Sequence, residues 1–125
     1  MKALSDWDID LKFGLLNEDK IKDIFEGGHK IEVKTERDKW HSTGNIAIEI
    51  EFRGKPSGLS VTKADYWMHI LSLEDEMQMA LLFSVSKLKE LVKKAIRMPN
   101  ARIVYGGDDG ASKLVLIPIS SVLLL

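Results

Sequence analysis

The chain has 125 residues, 45% hydrophobic and 30% charged, enough for one domain with a sizeable core and too apolar for a disordered segment. Eighteen basic residues against nineteen acidic leave a net charge of -1, so no global field draws it to a polyanion and nucleic acid binding would need a local basic patch. The absence of cysteine excludes disulfides, thiolate metal sites and cysteine nucleophiles.

The opening MKALSDWDID lacks the apolar stretch of a signal peptide, and no uninterrupted apolar run reaches membrane-spanning length. An intracellular, cytoplasmic protein is expected. Phe13, Leu15, Leu16, Ile21, Ile24 and Phe25 recur at helical spacing. With Asn17 as cap and Gly27-Gly28 as stop, they predict a helix over about residues 17–26. The next run, Lys30 to Glu36, alternates Ile31, Val33 and Thr35 with Glu32, Lys34 and Glu36, the period of a strand. Arg37 to Ser42 reads as a polar loop in which Trp40 either packs over a sheet edge or, beside Arg37 and Lys39, stacks on a nucleic acid base. Asn45 to Phe52 alternates again, with Ile46, Ile48 and Ile50 on one face and Ala47, Glu49 and Glu51 on the other.

Paired as antiparallel neighbours, these two strands would line one surface with Glu32, Lys34, Glu49 and Glu51. Carboxylates held that close repel unless a cation neutralises them, and magnesium meets the need with oxygen ligands while retaining water beside a phosphate. Lys34 would orient the attacking water or steady the charge on the phosphate. The plainer reading is the solvated face of a half-buried antiparallel sheet.

After the second strand, Arg53-Gly54-Lys55-Pro56-Ser57-Gly58 combines turn residues with two cations. It can hold a phosphate through amides and charges, and Ser60, Thr62 and Lys63 could extend that surface. It lacks the spacing of a nucleotide P-loop. Tyr66 to Leu71 reads as a buried strand in which His69 is a satisfied core histidine, Glu74-Asp75-Glu76 as a solvated bend, and Met77 to Phe83 as a further strand. Leu88, Leu91, Val92, Ala95 and Ile96 predict a helix from Val85 to a stop at Pro99, its other face basic. Arg102 to Gly110 is a glycine-rich turn before a last strand, Ser112 to Ile119, and Ser121 to Leu125 leave an apolar terminus suited to a dimer contact or to docking against the core.

The run IEVKTERD, then STGNIAIEIEFRGKPSG, LSVTKADYW and YGGDDGASKLVLIPI, resembles small phage and bacterial proteins of the PD-(D/E)xK nuclease superfamily, over most of the chain from about Glu18. That resemblance implies a restriction-endonuclease-like core, a divalent metal, Mg2+ with Mn2+ as substitute, and cleavage of phosphodiester bonds, with DNA as partner. It also implies a homodimer, working in a bacterial host cell if phage-encoded.

Carried onto this chain, the superfamily pattern has two competing alignments. Either Asp23 leads and Glu32-Val33-Lys34 is the triplet, or Glu32 leads and Glu49-Ile50-Glu51 is the triplet, with Glu51 where lysine usually stands. Glu18, in the preceding helix, is a metal ligand by resemblance and a favoured first-turn acid by the helix dipole alone. Asp108, Arg102 and Lys113 are candidates through the recurring GGD segment. The expectation is an α/β domain with a central mixed sheet of about five strands flanked by helices, acting as a magnesium-dependent endonuclease. Glu32, Lys34 and Glu49 would be catalytic, Glu18, Glu32, Glu49 and Glu51 would hold metal, and Arg53, Lys55, Ser57, Lys63 and Trp40 would touch nucleic acid. A noncatalytic nucleic-acid-binding or phage assembly module on the same fold is the alternative.

Overall fold

The computed structural model describes residues 17–122, which fall into two compact units, one ending at Lys30 and the other beginning at Ile31. In the first unit, residues 17–26 form helix α1, as predicted. The Gly27 amide donates to the Asp23 carbonyl at 2.7 Å and Gly28 turns left-handed at φ 78°, which ends the helix. Asp23 pairs with His29 at 3.0 Å.

The second unit is α/β. Its strands are β1 (Ile31–Arg37), β2 (Asn45–Phe52), β3 (Lys55–Pro56), β4 (Tyr66–Leu73), β5 (Glu76–Ser84), β6 (Arg102–Gly106) and β7 (Ser112–Pro118). Helix α2 (Lys39–Thr43) lies between β1 and β2, α3 (Val85–Arg97) follows β5, and α4 (Ile119–Val122) follows β7. The strands form a mixed sheet in the order β1-β4-β5 and an antiparallel sheet in the order β3-β2-β7-β6. Instead of one central sheet of about five strands, the described residues build two.

The antiparallel pairing expected of β1 and β2 does not occur. β1 runs parallel to β4, with Lys34 opposite His69, and β2 pairs with β3 and β7. The segment read as a loop is the cause: its residues coil into α2, entered at Asp38 (φ 29°) and left at Gly44 (φ 73°). That helix buries Trp40, whose indole N–H donates to the Ser72 carbonyl at 2.6 Å. Tied to β4 in this way, α2 carries the chain across to the other sheet where a hairpin would have returned it beside β1.

The core gathers Ile46 and Ile48 of β2, Val115 and Ile117 of β7, and Trp67 and Leu71 of β4 around α3. Helix α3 contributes Val85, Leu88, Leu91 and Val92, the stripe its periodicity predicts, and its first turn is capped by the Ser84 hydroxyl accepting from the Lys87 amide. The basic residues on its other face stay exposed or half-exposed. Among the described residues no helix is long and apolar enough to cross a membrane. Of the apolar C-terminal residues, 123–125 lie outside those described.

Candidate active-site cleft

Cross-strand partners share a face of a sheet, and the β1–β4 register sets Glu32 opposite Trp67, Lys34 opposite His69 and Glu36 opposite Leu71. Trp67, His69 and Leu71 are buried, 1%, 2% and 0% exposed. Along the charged face of β1 exposure differs: Lys34 and Glu32 remain 47% and 35% exposed, as on a solvated face, while Glu36 is only 16% exposed; Val33, on the apolar face, is 54% exposed.

Glu36 is covered enough that it must find donors, since an unpaired buried carboxylate is costly. Its Oε1 accepts from the Ala47 amide of β2 and from His69 Nε2, both at 2.5 Å. The Ala47 amide thus meets a side chain of β1 where a paired strand would offer a carbonyl. The Trp67 indole N–H donates to His69 Nδ1 at 3.1 Å. With Nδ1 accepting, the proton of the imidazole sits on Nε2 and points at Glu36. Oε2 of Glu36 accepts no hydrogen bond from a described residue, and Glu36 lines the adjoining cleft.

That cleft encloses about 150 Å³, and Lys34, Glu36, Ala47, Glu49 and His69 are among its lining residues. Glu49 reaches it from β2, its Oε2 accepting from the Ser57 hydroxyl at 3.1 Å. Ser57 is carried there by the RGKPSG turn: Arg53 (φ 50°) and Gly54 (φ 77°) reverse the chain between β2 and β3, and the Ser57 amide donates to the Ile50 carbonyl at 3.0 Å. Gly58, at φ 54°, lies so close to Glu49 that a Cβ there would collide with the Glu49 carbonyl oxygen. The segment read as a phosphate loop thus positions a carboxylate.

Of the expected residues, Lys34 and Glu49 meet in the cleft. Glu32 does not line it; its carboxylate pairs with Lys34 at 3.7 Å. Glu51 does not line it either. The β2–β7 register shifts between Glu49 and Glu51, a bulge that breaks the alternation, and Glu51 pairs with Lys113 at 3.7 Å. Lys113 is thereby accounted for. Trp40 is core, its indole N–H held by the Ser72 carbonyl, and it lines a neighbouring cavity and not this cleft. Arg53 lies over the Phe52 ring at 5.3 Å, and Lys55 and Lys63 are exposed away from the cleft lining. Glu18 is exposed on α1 in the first unit, Arg102 begins β6 and Asp108 begins a 3-10 turn.

Glu36 was missed. The signal was a histidine in the apolar run Tyr66 to Leu71: a buried imidazole needs a polar partner, and Glu36 shares its alternation with Glu32 and Lys34.

Two carboxylates, each with one oxygen held by a donor and one without, suit a magnesium ion that takes one or two protein carboxylates and completes its shell with water and substrate phosphate. No cluster of three or more metal-ligating side chains occurs among the described residues. In comparison with known proteins, no family model, curated protein or solved structure matches the chain.

Proposed function

We propose that this protein is a metal-dependent endonuclease that hydrolyses phosphodiester bonds of nucleic acid, with DNA as the expected substrate. The observation that carries the reading is the convergence of Glu36, Glu49 and Lys34 from strands of two sheets on one small cleft. Glu36 and Glu49 would hold Mg2+ or Mn2+, which when bound supplies Lewis acidity toward the phosphoryl oxygens and a polarised water. The residues themselves do the positioning. His69 and the Ala47 amide fix Glu36, Ser57 fixes Glu49, and the Lys34 ammonium opposes the negative charge that builds on the phosphate during in-line attack.

The motif resemblance to PD-(D/E)xK nucleases supports the same class, with Glu36 replacing Glu32 as the acid facing Glu49. A homodimer would let one cleft address each strand of a duplex, a reading that rests on the resemblance. The test is nicking of supercoiled plasmid with magnesium or manganese. Wild type should nick, and Glu36→Gln, Glu49→Gln and Lys34→Met should not, with melting curves showing each variant folded. Salt-sensitive DNA binding with no cleavage under any divalent ion would instead establish a noncatalytic binding module.

A further inference from the structure

A second cavity of about 540 Å³ adjoins the cleft and shares Glu36 and Ala47 with it. Its wall on the four-stranded sheet is built by register: Leu116 lies opposite Ala47 and Leu114 opposite Glu49 and Val104. These residues share a face of the sheet with Glu49, so one surface runs from the carboxylates into the groove. Arg37 and Lys39 line it as well, and neither has an acidic partner among the described residues. Asn45 lines it too, four residues before Glu49 on β2 or about 13 Å along a strand; its carboxamide makes no hydrogen bond to a described residue.

An apolar wall suits the face of a ring, a free carboxamide suits a ring edge that donates and accepts, and two unpaired cations beside a phosphate-cutting cleft suit flanking phosphates. The volume is that of a small-molecule site, large enough for one nucleoside, and a paired base cannot enter such a groove without leaving its stack.

Resting on the nuclease reading, we propose that the groove takes an unpaired nucleobase of the substrate strand next to the scissile phosphate, making single-stranded or locally unpaired nucleic acid the preferred substrate class. Arg37 and Lys39 hold the phosphates either side of that nucleotide, Val104, Leu114 and Leu116 pack on its ring, and Asn45 reads its edge.

The test is titration of wild type, in EDTA, into a single-stranded oligonucleotide carrying 2-aminopurine and into a blunt duplex with the same base paired. The fluorescence of the unpaired probe should change on binding and the duplex should bind more weakly. Val104→Trp, which fills the groove, should raise the single-strand Kd roughly tenfold, the scale of one lost stacking contact, with an unchanged melting temperature. Should that variant not fold, the exposed double change Arg37→Glu, Lys39→Glu must weaken binding by a similar factor. Equal affinity for the two substrates, or binding untouched by the folded groove variants, overturns the proposal even if plasmid nicking is intact. Probe binding that follows the expected pattern in a protein that cuts nothing supports the groove and removes the hydrolase reading alone.

Discussion

β1 and β2 carry the same alternation of β-branched and acidic residues, and the fold orients them oppositely. β2 turns Ile46 and Ile48 into the core, each 0% exposed, and keeps Glu49 on its other face. β1 turns Glu32, Lys34 and Glu36 toward the side of Trp67 and His69 and leaves Val33 outside. Their acids therefore approach one cleft from two sheets. An acid on a strand says little by itself; its donors and its opposite neighbour decide whether it is a solvated charge, as Glu32 and Glu51 are in their ion pairs, or a site.

The contrast breaks most sharply at Glu36. Glu36→Ala strands the His69 Nε2–H and the Ala47 amide, at about 1–3 kcal/mol for each unsatisfied donor, so urea unfolding should show a loss of about 2–6 kcal/mol. An unchanged midpoint would mean that this carboxylate is not held as described. Gly58→Ala comes next. A side chain there forces strain at positive φ and presses on the Glu49 backbone, an expected loss of about 1–3 kcal/mol accompanied by loss of nicking.

His69→Phe removes the donor that orients Glu36. Manganese binding, followed by calorimetry or electron paramagnetic resonance, should weaken about 10- to 100-fold. His69→Gln, which restores an N–H, should recover part of it, whereas a purely structural histidine would show no such rescue. Ser57→Ala frees one oxygen of Glu49 and should cost about 1 kcal/mol of stability, with a smaller drop in metal affinity. The smallest effects belong to the solvated pairs. Glu32→Ala and Glu51→Ala should each change stability by less than about 1 kcal/mol and leave nicking near wild type. Complete loss of activity in Glu32→Ala would restore Glu32 as the acid facing Glu49.

Much of the secondary structure was legible from the chain. Residues 17–26 end on a glycine stop, Val85 to Arg97 shows an apolar stripe, and β1 and β2 show their alternation. These patterns are local, so neighbours in sequence suffice to reveal them. The pairing of β1 was not legible, because it depends on whether Asp38 to Gly44 makes a turn or a helix, and burial of Trp40 against Ser72 settles that. The loss of Glu51 from the site follows from a bulge against β7, which no alternation announces. Residue type alone placed Lys34 and Glu49 on the surface where they line the cleft, and it did not single out Glu36, because Glu32 shares its face and its chemistry.

What the amino-acid order determined alone is α1, α3 with the stripe that covers the core, the long strands β1, β2, β4, β5 and β7, and the presence of acids on two alternating segments. Those follow from torsional preference and periodic burial, which act over a few residues. Only the tertiary structure decided which acids meet, because desolvation and hydrogen bonding act between groups distant along the chain. The Trp67 to His69 to Glu36 relay reaches the Ala47 amide of the second sheet, and it holds one carboxylate at the cleft while its near-identical neighbour stays half-exposed in an ion pair with Lys34.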